Sequence, residues 1–148
     1  YKRKSISKKS SFDIYNLESL SSFVHQCDIV ISILPDTSDT KDFINQKFLS
    51  KMKKSALLIN IGRGSAVHEK DLIKHIRGNP NFYASLDVFN KEPLDKQHKF
   101  WQNKNITITP HVAAITDYDS SINYLHKRFL KFKKNKKIKS DVDMQIGY

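Results

Sequence analysis

A chain of 148 residues, 39% apolar and 11% aromatic, can bury a real core and is too apolar to be disordered throughout. Its formal net charge of +11, from 26 Lys and Arg against 15 Asp and Glu, raises a nucleic-acid or membrane-surface partner for consideration. The single cysteine, Cys27, rules out an internal disulfide and fits a reducing, cytoplasmic compartment; no stretch reads as a secretory signal or a membrane span, so no membrane partner is expected.

In chain order, the lysine-rich start YKRKSISKK gives way to a helix expected over 17–26, after an Asn16 cap. DIVISIL (28–34) is a nearly unbroken apolar, β-branched run and reads as a strand. A helix follows over 45–53, carrying Phe48, Leu49 and Met52 on one side. ALLINI (56–61) is the second strand, and a helix over 69–77 stops at Gly78 with Pro80 just beyond. FYASLDVF (82–89) and ITIT (106–109) complete four strands. Thr116-Asp117-Tyr118-Asp119 resembles a capping box that opens a long helix to about Lys134.

Strands apolar on both faces, alternating with amphipathic helices, imply βαβ units with right-handed crossovers and a doubly wound parallel α/β sheet. The terminal lysines, dense again from 127 to 139, read as a solvated helix face and tail. Single-strand recognition needs aromatics displayed among the charges, whereas Phe129 and Phe132 share helical spacing with Ile122 and Leu125 and are expected in a buried stripe. A nucleic-acid partner is therefore not expected. The chain opens on Tyr1, and its methionines are Met52 and Met144, so it is expected to belong to a longer polypeptide.

Open parallel sheets bind ligands beyond the carboxyl ends of their strands. Leu34-Pro35-Asp36-Thr37, Gly62-Arg63-Gly64, Asp87 with Asn90 and Glu92, and Pro110-His111 lie at those four ends. Arg63 can grip a carboxylate through two parallel hydrogen bonds, and its glycines are expected to let the backbone turn and leave room for a ligand. The alternative for Arg63 is a structural ion pair with Asp36 or Glu92. His111 can exchange a proton near neutral pH, and Glu92 can hold its far ring nitrogen. His68-Glu69 begins like a zinc helix, but Leu72 stands where a second histidine is required, so no metal is expected. His25, His75, His98 and His126 read as surface or helix residues, and Cys27 as a buried, inert thiol.

ILPDTSDT (33–40), LLINIGRG (57–64), ASLDVFNKEPL (84–94) and ITITPHVAAIT (106–116) together resemble the D-isomer-specific 2-hydroxyacid dehydrogenases along nearly the whole chain. Within that family, FNKEPL, the segment from Phe100 to Thr116 and the ending VDMQIGY are most similar to the bacterial glyoxylate/hydroxypyruvate reductase A group. The resemblance implies an incomplete Rossmann-like domain: residues 1–116 form the carboxyl-terminal part of the NAD(P)-binding domain, and 117–148 a long helix and tail returning toward an absent substrate domain. It implies Arg63 as carboxylate clamp, His111 as proton donor and Glu92 as its partner. Leu34, Pro35, Thr40, Ile61 and Asp87 fall on the cofactor side, and Arg3, assisted by Lys2 or Lys4, suits the extra phosphate of NADP over NAD. A small 2-oxo acid such as glyoxylate or hydroxypyruvate is the implied substrate. The missing amino-terminal half and a homodimer are the implied partners. The family's first strand and glycine-rich pyrophosphate turn have no counterpart in the sequence. An inactive fragment of such an enzyme is therefore the alternative, with a basic nucleic-acid-binding module ranked below it.

Overall fold

The computed structural model describes Asp13 and residues 15–136; Arg3, Lys2 and Lys4 lie outside the described residues. The chain divides into two compact units, residues 1–110 and 111–148.

In the first unit, β1 (Ile29–Ser32), β2 (Leu57–Asn60), β3 (Tyr83–Leu86) and β4 (Ile106–Ile108) form one sheet in the order β1-β2-β3-β4, parallel throughout. Ile31, Ile59, Ser85 and Thr107 stand side by side across it. The helices between strands are α1 (Leu20–Gln26) before β1, α2 (Gln46–Leu49) and α3 (Glu69–Gly78), with a 3-10 turn, Lys99–Gln102, leading into β4. Val30, Leu58, Ala84 and Leu86 on one sheet face join Phe48, Leu49, Leu72, Ile76, Phe82 and Phe100 in a single core. The other face is apolar, as the runs suggest, but open within this unit: Ile29, Ile31 and Tyr83 are exposed.

Several boundaries differ from expectation, each for a local reason. The first helix starts at Leu20, because Asn16 and Ser19 spend their side chains on each other: Ser19 N–H donates to Asn16 Oδ1 and Asn16 N–H to Ser19 Oγ, both at 3.0 Å. Asn45 does cap α2, accepting from the Lys47 and Phe48 amides, but the helix lasts one turn. Gly78 lies inside α3; the stop is Asn79, whose Nδ2 donates to His75 O at 2.8 Å. Of the two alternatives for His75, surface or helix, the helix holds: it lies in α3 and is buried, its ring edge-on to Phe82 at 4.6 Å, and burial pushes its pKa below the ordinary 6.5. Cys27 is only half-buried.

The second unit carries α4 (Tyr118–Asn135). Its cap is Asp117, one residue later than expected, because the Asp117 carboxylate accepts from the Asp119 and Ser120 amides. The expected buried stripe is not buried: Ile122 and Leu125 are 63% and 64% exposed, Phe129 59%. Among the described residues no helix is long and apolar enough to cross a membrane.

Candidate active site

The carboxyl edge of the sheet is built by loops whose backbones approach one another closely. A Cβ on Gly62 would lie 2.6 Å from the Leu34 amide nitrogen, and one on Gly64 would lie 1.9 Å from the Phe89 carbonyl carbon. Neither glycine is needed for a left-handed backbone, and neither leaves room for a ligand. That space is filled by the loops after β1 and β3. The reason for glycine on both sides of Arg63 is therefore close packing of three strand-end loops into one rim.

Polar side chains lock the same rim. Asn60, fully buried at the end of β2, donates from Nδ2 to Arg63 O at 3.0 Å and accepts from Gly62 N–H at 3.3 Å, so it dictates the course of the turn. Ser65 Oγ donates to Asp36 Oδ1 at 2.6 Å and ties the β1 loop to the β2 loop. Thr40 is buried, and its hydroxyl donates to Pro35 O at 2.6 Å while accepting from Thr37 N–H at 3.0 Å. Thr40 thus staples the turn that presents Leu34 and Pro35, both half-buried.

Arg63 itself has extended backbone, φ −138° and ψ 144°, and an exposed side chain whose Nη1 donates to Gly62 O at 2.8 Å. Neither of the ion pairs considered from sequence forms. Asp36 is engaged by Ser65, Glu92 Oε1 accepts from Phe89 N–H at 2.9 Å, and no carboxylate among the described residues pairs with Arg63. A guanidinium held at the rim with open donors can take a carboxylate bidentately. Glu92 folds back over its own turn, which fixes one carboxylate oxygen while the residue stays exposed.

Asp87 is 3% exposed, and its Oδ1 accepts a hydrogen bond from the Thr109 hydroxyl, joining the end of β3 to the residue after β4. Ile33 and Ile61, beyond the ends of β1 and β2, are exposed apolar side chains. Exposed aliphatic side chains at the strand ends can carry a flat, largely apolar ring. The ring of a nicotinamide is such a group, and these residues could hold it.

His111 opens the second unit, exposed, with φ 55°. A left-handed non-glycine residue is uncommon, and such positions concentrate where a side chain must be aimed. Asn60 and Thr109 were not singled out from sequence. The signal for Asn60 was an amide interrupting the apolar run just before the GRG turn; Thr109 had none. Among the described residues no cluster of three or more His, Cys, Asp or Glu could hold a metal ion.

Residues 1–113 match the family model described as D-isomer specific 2-hydroxyacid dehydrogenase, NAD binding domain. Among solved structures, a D-isomer specific 2-hydroxyacid dehydrogenase from Xanthobacter autotrophicus Py2, in complex with NADPH and MES, superposes with a TM-score of 0.84 at 30% identity, over 91% of this chain and 56% of its own. An NADPH-dependent glyoxylate/hydroxypyruvate reductase from Sinorhizobium meliloti, in complex with NADP and sulfate, gives 0.82 at 30% identity over 90% and 44%. A D-isomer specific 2-hydroxyacid dehydrogenase family protein from Aeromonas salmonicida gives 0.82 at 31% identity over 92% and 44%. The chain thus spans about half the length of the proteins it matches.

Proposed function

The chain belongs to the D-isomer-specific 2-hydroxyacid dehydrogenase family, and from that membership we propose that it forms the carboxyl-terminal portion of an NADPH-dependent reductase of small 2-oxo acids, glyoxylate and hydroxypyruvate among them. The observation that carries the reading is Arg63, whose guanidinium stands at the sheet's carboxyl rim without a carboxylate partner among the described residues, on a turn locked by Asn60. Activity belongs to the complete polypeptide, as a homodimer.

In that reaction Arg63 binds the substrate carboxylate and fixes its orientation, which holds the neighbouring carbonyl in a reactive geometry. When bound, the reduced nicotinamide supplies the hydride that reaches the carbonyl carbon. His111 gives its proton to the carbonyl oxygen as negative charge develops there. Glu92 keeps His111 oriented and protonated, a task suited to a carboxylate already fixed by the Phe89 amide. Asp87 receives the carboxamide, Leu34, Pro35 and Ile61 line the ring, and Thr40 holds the turn beneath them. Arg3 selects the extra phosphate of NADP.

The test is kinetic, on the complete enzyme. Arg63→Gln should raise KM for glyoxylate about a hundredfold, the loss of a bidentate charge-assisted pair, with NADPH affinity unchanged. His111→Ala should reduce kcat by about a thousandfold with little change in either affinity. Normal turnover of both 2-oxo acids in either variant would overturn the assignment of roles.

A further inference from the structure

At the opposite end of the strands lies a cavity of about 470 Å³ that the reductase reading does not use. It opens between the end of α3, the approach to β3 and the segment leading into β4, and its lining includes the apolar Ile73 and Pro80 and the polar Arg77, Lys99, Lys104 and Gln102. Strands of three or four residues separate it from the Arg63 rim, about 10–13 Å along the sheet at 3.3 Å per residue.

Its charge is one-sided. No carboxylate lines the cavity, and none among the described residues pairs with Arg77, Lys99 or Lys104. Arg77 has a partial explanation in the last turn of α3, where a cation faces the helix's negative end. That does not extend to Lys99 and Lys104, which lie outside the helix on the segment before β4: Lys99 begins the 3-10 turn, and Lys104 follows it. Three cations lining one recess with no carboxylate among them favour the entry of an anion. Beneath them the frame is rigid, because the buried Asn105 donates from Nδ2 to Pro80 O at 2.8 Å and to Phe82 O at 2.9 Å. The recess is thus preformed, and its volume is that of a small-molecule site.

We infer that this cavity binds a polyphosphate-bearing anion, with its phosphates on Arg77, Lys99 and Lys104. The shared chemistry is a run of phosphates, and the apolar lining residues Ile73 and Pro80 distinguish two sources. A nucleoside phosphate would use them for its ring, whereas an inorganic polyphosphate would leave them bare.

The experiment is calorimetric titration of the complete enzyme, saturated with NADPH so that the cofactor site is filled, with inorganic tripolyphosphate and separately with ATP. Tripolyphosphate should bind at one site per chain, and raising the salt concentration should weaken it. The Arg77→Ala, Lys104→Ala double variant should bind at least about tenfold more weakly, while Arg77→Lys, Lys104→Arg should retain binding. All four substitutions fall on exposed side chains, so the fold should be preserved, which an unchanged denaturation midpoint would check. Tighter binding of ATP than of tripolyphosphate identifies a nucleotide as the source; equal or weaker binding identifies inorganic polyphosphate. Absence of binding, or binding that the double alanine variant leaves unchanged, overturns the inference.

Discussion

The rim around Arg63 and the helix α4 are made in opposite ways. The rim has almost no regular structure, yet it is over-determined by contacts from elsewhere in the chain: two glycines pressed against neighbouring backbone, a buried Asn60, and side-chain ties from Ser65 to Asp36 and from Thr109 to Asp87. Helix α4 is eighteen residues of regular structure with no buried residue, supported by its own cap and by pairs such as Arg128 over Tyr124, 5.6 Å to the ring centroid. Regularity and fixation are therefore separate properties in this protein. The irregular segment is the more firmly fixed of the two, because contacts from distant parts of the chain hold it.

Substitutions should separate the two regimes. The largest effect is expected at Gly64, where alanine would place a carbon within 1.9 Å of the Phe89 carbonyl carbon, a backbone atom that cannot swing aside. Gly64→Ala should cost about 3 kcal/mol or more in chemical denaturation and abolish reductase activity by displacing Arg63. Retention of the wild-type denaturation midpoint would show that the rim is looser than its packing implies.

Asn60→Ala comes next. It removes two hydrogen bonds from a buried turn and should cost about 1–3 kcal/mol in the same measurement. Its effect on KM for the 2-oxo acid should exceed its effect on NADPH affinity, since Asn60 orients the Arg63 turn. Equal effects on both would mean that Asn60 supports the sheet as a whole instead.

The smallest effect is expected at Asp117, whose contacts are local and solvent-exposed. Asp117→Ala should trim the helical circular-dichroism signal slightly and leave the denaturation midpoint of the sheet unit unchanged. Its pH dependence has a definite sign. The Ser120 hydroxyl, and then the Ser120 amide, hold the Asp117 carboxyl below its ordinary 3.8. A carboxyl with a lowered folded-state pKa contributes fully above the ordinary aspartate range and loses that contribution as pH falls through the lowered value. Asp117→Asn should keep the cap and remove this acid sensitivity. A large drop in the sheet's stability on either substitution would erase the contrast between the two regions.

Much of this was readable along the chain. The four parallel strands lie inside the apolar runs, Asn45 caps the helix it precedes, and Arg63, Glu92 and His111 fall just past the strands that carry them. Those features follow from hydrophobic period, β-branched composition and cap chemistry, all of which act within a few residues. The apolar stripe of α4 was equally visible, but its expected burial did not hold, because periodicity reports that a face is apolar and not what meets it.

What the sequence determined by itself is the order and type of the elements and the family to which they belong. Only the tertiary structure decided why Gly62 and Gly64 flank Arg63, which partners Asp36 and Glu92 take, and which amide steers the turn. It also brought a cation at the end of α3 together with two from the segment before β4 at one cavity at the far end of the strands. The physical reason is range. Propensity and capping are settled between near neighbours in the chain, whereas steric exclusion, buried hydrogen bonding and charge convergence depend on which distant segments the sheet places side by side.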